Sequence, residues 1–173
     1  MKVKVLGEAF YEWAMLGLSL SYDQSPGNMY GVALKLLLRG DSHVKFLESM
    51  PVALDITATR TWWQQFDTYR VGVTKQSEST EHTLLWQPVT QEDFEYPIHP
   101  GQLEKINTLI DDKNLEEAKK QLPEGFWQRR IIVTNYKTLR HIIGQRNKHR
   151  GPEWKQFCQT ILDEVLYPEF LEV

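Results

Sequence analysis

The chain predicts an α+β fold: one compact domain over residues 1–173, with helices packed on a small mixed sheet. Three observations carry this. Segments with apolar residues at helical intervals alternate with short apolar or alternating runs of strand length. Turn formers, not long linkers, separate them, and no repeat, low-complexity tract or domain boundary interrupts the series. At 173 residues and 41% hydrophobic content the chain can bury one core without disulfides or metal.

The elements follow in order. Lys2 to Leu6 alternates as a short strand, and Glu8 to Leu20 places Phe10, Trp13, Ala14 and Leu16 at helical spacing. Ser25-Pro-Gly-Asn28 reads as a turn. Met29 to Arg39 reads as a helix that Gly40 stops. Val52 to Thr57 is a strand, and Arg60 to Phe66 a short helix with two tryptophans. The polar stretch from Val71 to Pro100 reads as loops with one strand near Thr83 to Trp86. Gln102 to Asp111 and Leu115 to Leu122 are helices, Arg130 to Thr134 a buried strand, and Tyr136 to Gln145 and Glu153 to Leu166 the last two helices.

Composition excludes several function classes. Cys158 is the only cysteine, so no internal disulfide forms, which suits a reducing cytoplasm; it falls in the apolar pattern of the last helix and reads as a buried structural thiol. No basic-apolar-small leader and no apolar run of about 20 residues occurs, so no membrane association is expected. The five histidines never form a His-x-x-x-His pair, so no metal is expected. No glycine-rich loop opens a helix in phosphate-binding form. Trp62 and Trp63 read as a core residue beside an interface residue, and Gly125-Phe-Trp127 as packing. Ser77 and Ser79 near Glu78 lack the base and orienter of a nucleophilic triad, which leaves them as phosphate donors. The basic surface is short and the whole chain acidic, which argues against nucleic acid.

Glu116 to Trp154 is the most informative stretch. From Arg129 to Lys155 there are eight Lys or Arg residues and one acid, a local charge of +7 in a chain of net −3. A basic, Asn-containing helix in an acidic protein suits a phosphorylated ligand; a solvated helix face is the alternative. Asn135 and Arg146 are eleven residues apart, about three helical turns, and Lys137 lies one turn short of His141.

The order of these residues resembles the C-terminal core of the flavin-dependent thymidylate synthases, the ThyX family. Glu116, Ala118, Lys119, Leu122 and Pro123 reproduce the family's E-x-A-R-x-x-L-P run, with Lys119 in place of Arg. Asn135 and Arg146 follow at the family spacing, and Pro152-Glu-Trp154 stands near the family's Ala-Gln-Trp. Towards the N-terminus, Gly40, His43, Phe46 and Glu48 resemble the Gly-His-x-x-Pro-Phe-Glu-His stretch, and Arg60-Thr-Trp-Trp-Gln64 the Arg-Gln-Trp helix. The family signature is rewritten: Tyr69-Arg70 stands for His-Arg, Lys75-Gln76 for Asn-Glu, and Ser77 or Ser79 for the signature Ser.

This resemblance implies C5 methylation of deoxyuridine monophosphate, with methylenetetrahydrofolate as carbon donor, FAD as cofactor and NADPH as reductant, in a homotetramer with sites where subunits meet. It implies that Arg146 and Arg70 act at the reacting centre and that Arg146, Lys119, Ser77 and Ser79 bind the nucleotide. It assigns His43, Asn135, Lys137 and His141 to FAD; for Asn135 the alternative is a strand-to-helix cap. Two other readings stay open: a pyrimidine C5 hydroxymethylase for phage DNA modification, working in bacterial or phage-infected cytoplasm, and a non-catalytic flavin- or nucleotide-binding protein.

Overall fold

The computed structural model describes residues 1–172. Four strands and eight α-helices follow one another as β1 (Lys2–Glu8), α1 (Tyr11–Leu20), α2 (Met29–Leu37), β2 (Pro51–Thr59), α3 (Arg60–Phe66), β3 (Thr74–Ser77), α4 (Thr80–Trp86), α5 (Pro100–Asp111), α6 (Leu115–Gln121), β4 (Trp127–Asn135), α7 (Tyr136–Arg146) and α8 (Pro152–Glu164). Short 3-10 turns fill several connections, among them Asp41–His43 and Lys45–Ser49. The strands form one sheet in the order β1-β2-β4-β3.

The α+β class holds, but the sheet is antiparallel where a mixed one is expected. The chain reverses direction at each pairing. Ala9 N donates to Pro51 O, so the end of β1 meets the start of β2; Arg60 N donates to Phe126 O and Tyr136 N to Met50 O, so β2 and β4 run oppositely; Glu78 N donates to Arg129 O beside β3 and β4.

The chain divides into two compact units, and β2, β3 and β4 each run from one into the other. The first comprises Met1–Lys2, Ile56–Thr68 and Gln76–Arg130. Its core joins α4, α5 and α6 through Leu84, Ile106, Ile110, Ala118 and Phe126. Trp62 and Trp63 are both 1% exposed, so neither is the expected interface residue. Trp62 stacks on Phe66 at 5.0 Å, and the Trp63 indole donates to Gln128 O at 3.0 Å with the Arg130 guanidinium 4.3 Å over its ring. Thr59 caps α3, its hydroxyl accepting from Trp62 N.

The second unit comprises Val3–Asp55, Tyr69–Lys75 and the chain from Ile131 onward. Its core gathers Met29, Leu47, Tyr136, Leu139, Trp154 and Phe157, all essentially inaccessible. The Tyr136 hydroxyl donates to Glu8, whose other oxygen accepts from Leu166 N at 2.8 Å. Burial and the Glu8 carboxylate push the Tyr136 phenol far above its ordinary range. Arg140, read from sequence as part of a basic face, is buried instead. Its two Nη groups donate to the carbonyls of Leu37, Phe170 and Glu172, while its buried Nε has no hydrogen-bond partner.

Other expectations are corrected here. Thr83–Trp86 belongs to a helix, because Leu84 alone of that stretch is buried and the rest face water. Thr74–Ser77, read as loop, is β3; its polar residues pair at a sheet edge, which hides the strand from hydropathy. Helix α1 begins at Tyr11 because Phe10 sits in the left-handed region at φ 68°. Strand β4 alternates instead of being buried throughout: Ile132 and Thr134 are inside, while Val133 is 45% exposed. Helix α2 ends at Leu37 with Leu38 as its C-cap, short of the expected Arg39, so Gly40, at φ 95°, leads into the next 3-10 turn and does not itself stop the helix.

Candidate functional site

Helix α7 organises the candidate site. Asn135 ends β4 and occupies the N-cap of α7, its side-chain oxygen accepting from Thr138 N at 2.9 Å. The capping alternative for Asn135 is therefore realised, and its amide nitrogen is the part left for a ligand. Gly72 packs against this cap: a Cβ there would meet Thr138 Oγ1 at 2.5 Å and Asn135 Nδ2 at 3.1 Å. Thr134 Oγ1 donates to Gly72 O at 2.8 Å, tying the segment to β4.

At the other end of α7, Arg146 is the last helical residue, where a cation is favoured by the helix dipole. Its Nε donates to the Tyr69 hydroxyl at 2.7 Å, and that hydroxyl donates to Gln145 Oε1 at 2.9 Å. The guanidinium lies 4.5 Å from the Trp154 ring centre and 5.5 Å from that of Tyr69. Both rings are buried, while Arg146 itself is half-buried. His141, exposed one turn earlier, meets the Tyr69 ring edge-on at 6.2 Å. His141, Arg146, Tyr69, Gln145 and Trp154 thus form one cluster of a guanidinium, an imidazole, an amide and two aromatic rings. Such a set can receive a planar, anionic ligand.

The remaining predicted residues lie elsewhere. Lys137, in the first turn of α7, pairs with Glu48 at 2.6 Å, and its ammonium holds that carboxyl below the usual carboxylate range. His43 is exposed in a 3-10 turn and lines a cavity of about 430 Å³ with Trp13, Tyr22, Ser42, Lys45 and Phe46. Arg70 is exposed beside Tyr69. Ser77, Ser79 and Lys119 belong to the first unit. Ser77 ends β3; Ser79 precedes α4 without capping it; and Lys119 pairs with Glu81 at 3.0 Å, which lowers that carboxyl. Sequence reasoning did not place Tyr69, Gln145 or Trp154 in the site. The signal available was Trp154 just past Arg146, in a helix that Pro152 opens.

Cys158 is buried and its thiol is pushed up to about 11, so it is structural. Among the described residues no group of three His, Cys, Asp or Glu side chains could hold a metal ion. Among the described residues no helix is long and apolar enough to cross a membrane.

The fold is that of the flavin-dependent thymidylate synthases. ThyX from Helicobacter pylori, solved twice with FAD and dUMP, superposes with TM-scores of 0.79 and 0.80 at 15% identity, covering 99% of this chain and 96% and 98% of those. The UMP/dUMP methylase PolB from Streptomyces cacaoi, bound with 5-Br dUMP, gives a TM-score of 0.71 at 13% identity over 94% of this chain and 88% of that one. No protein-family model matches the chain, and no curated protein matches it either.

Proposed function

We propose that this protein is a ThyX-like, flavin-dependent pyrimidine nucleotide C5 methyltransferase of the dUMP-to-dTMP type. The observation that carries this reading is the likeness of nearly the whole chain to a protein solved with FAD and dUMP. The two units are read as one ThyX-like domain, 1–173. The cluster on α7 supports the reading chemically, because a nucleotide needs convergent donors and Arg supplies them in a fork.

Arg146 is the nucleotide ligand, reaching the pyrimidine edge or the phosphate, and Arg70 is the second cation of that centre. Lys119, Ser77 and Ser79 are phosphate donors; Lys119 binds as a point charge where a guanidinium would bind bidentately.

The residues present fit FAD. A diphosphate needs cations or donors, and His43, Lys137, His141 and the Asn135 amide nitrogen offer them on accessible surface. The Lys137–Glu48 pair is exposed, and such pairs cost little to open. When bound and reduced by NADPH, FAD would supply the hydride that completes a methyl group from the carbon unit of methylenetetrahydrofolate. The chain's own residues bind and orient the nucleotide and shield it from water.

An assembly of copies, a homotetramer, completes these sites. Trp13, Leu16 and Leu20 recur at three- and four-residue intervals along the outer face of α1 and are all exposed, Trp13 at 66%. An apolar helix stripe of this kind suits a second copy of the chain. A buried lone thiol and such an assembly fit the cytoplasm, bacterial or phage-infected.

The test is to incubate the purified protein with FAD, NADPH, methylenetetrahydrofolate and dUMP, UMP or deoxycytidine monophosphate, then identify products by mass. A C5-methylated uridine nucleotide supports the reading. A hydroxymethylated product, or a protein that binds neither flavin nor nucleotide, refutes it.

A further inference from the structure

The bond between Arg146 and Tyr69 has a consequence for how a ligand can be held. A guanidinium presents two bidentate edges, one formed by Nε with an Nη and one formed by the two Nη groups. The Arg146 Nε donates to the Tyr69 hydroxyl at 2.7 Å. That hydroxyl is itself fixed, donating to Gln145 Oε1 at 2.9 Å, and its ring is 8% exposed. The Trp154 ring, 4.5 Å away and 1% exposed, limits the tilt of the guanidinium plane. No carboxylate pairs with Arg146 among the described residues. The side-on edge is therefore taken by the protein, and only the end-on pair of Nη groups is offered outward.

We propose that Tyr69 is the positioning residue of the nucleotide site, and that it makes Arg146 an end-on reader of two adjacent acceptor oxygens or nitrogens on a pyrimidine nucleotide. This rests on the proposed function, since it takes the nucleotide as the ligand of Arg146. The Tyr69 hydroxyl replaces one of water's hydrogen bonds to Nε and restricts the rotation about the last side-chain bonds. The entropy of ordering a long cationic side chain is then largely spent before the ligand arrives. Lysine has no Nε of this kind, so Arg146→Lys makes Tyr69's hydroxyl irrelevant to binding.

The experiment is a cycle of dUMP affinities by calorimetry on wild type, Tyr69→Phe, Arg146→Lys and the double variant, each with its thermal midpoint. The Nε–H resonance of Arg146 is followed in parallel by side-chain NMR. The expected result is a slowly exchanging Arg146 Nε–H in wild type that is lost in Tyr69→Phe. The same variant binds dUMP about tenfold more weakly, and adds no loss in the Arg146→Lys background. Tyr69→Phe keeps the ring and its stacking, so a purely packing role would leave affinity unchanged. If dUMP binds wild type and Tyr69→Phe binds it equally well, or if the losses simply add, the positioning role is overturned while the nucleotide reading stands. If dUMP fails to bind wild type although the Nε–H is protected, the nucleotide reading falls, and this inference falls with it.

Discussion

Gly72 offers the sharpest test of how the candidate site is built, and Gly72→Ala is the perturbation. Its φ is 68°, where an L residue with a Cβ pays about 1 kcal/mol or slightly more relative to glycine. The added methyl would also sit 2.5 Å from Thr138 Oγ1 and 3.1 Å from Asn135 Nδ2. Thr138 can rotate its hydroxyl away, giving up only a long bond to Val71 O at 3.4 Å. Asn135 has less freedom, because its side chain caps α7 through Thr138 N at 2.9 Å. Loosening a cap of this type costs about 1 kcal/mol. The two contributions total about 2–3 kcal/mol, from the backbone cost and the cap. In a protein of this size that corresponds to a fall in Tm of about 4–12 °C.

Urea and thermal unfolding followed by near-UV circular dichroism measure the loss. Repeating the substitution in an Asn135→Ala background separates the two causes. With the capping side chain gone, no cap is left to loosen and the cost should approach the backbone share of about 1 kcal/mol. A Gly72→Ala protein as stable as wild type would refute the reasoning. So would an equal cost with and without the Asn135 side chain.

Three further outcomes follow. Arg140→Met should lower stability by about 2–3 kcal/mol, since two buried carbonyls and one part-buried carbonyl lose their donor at roughly 1 kcal/mol each; the denaturant midpoint reads this, and faster proteolysis of the C-terminal segment should accompany it. The Cys158 thiol has a folded pKa raised by burial to about 11, so its contribution to stability is complete below the unfolded thiol's range and is lost as pH climbs through about 11. The alkaline limb of wild-type stability should therefore be steeper than that of Cys158→Ala, and the native thiol should resist a thiol reagent at pH 8. Arg70→Ala removes an exposed cation, so stability should move by less than about 0.5 kcal/mol. Methyl transfer should fall by roughly tenfold to a hundredfold, the range for losing a hydrogen bond to a charged group; unchanged turnover would remove Arg70 from the site.

Sequence legibility followed local physics. The α+β class and most helices are readable, because one-sided burial imposes helical spacing on residues such as Ile106 and Ile110 in α5 or Trp154, Phe157 and Ile161 in α8. Asn135 as a possible cap is readable because it has one local conformational job. Strand β3 was not, since four polar residues at a sheet edge need only backbone partners. The direction of the sheet pairings was missed because it depends on where the connections return the chain. Helix α1 misled in another way: its apolar residues are spaced like a core face, yet Trp13, Leu16 and Leu20 face outward while Ala14 and Met15 are buried. Periodicity reports an apolar stripe without saying what covers it.

The site was half legible for a related reason. Motif order pointed to Arg146 and Asn135, which stand at the two ends of α7, but nothing local connected them to the rewritten signature. The structure supplies that connection in four residues. Tyr69 reaches Gln145 and Arg146 in the last turn, while Val71 and Gly72 reach Thr138, Asn135 and Thr134 at the first. From Thr138 to Gln145 a helix rises about 10 Å. Two extended residues and a tyrosine side chain can bridge that span. Segment 69–72 therefore runs alongside α7, with Arg70 exposed between its two anchor points. A substitution at either anchor should be felt at the other end, because both act on one helix. The residues at two positions of this segment then have a physical sense. Tyrosine at 69 is long enough to reach the end of α7 and carries a hydroxyl that both accepts and donates there. Glycine at 72 lets the backbone lie against the cap, where any side chain would collide with Thr138.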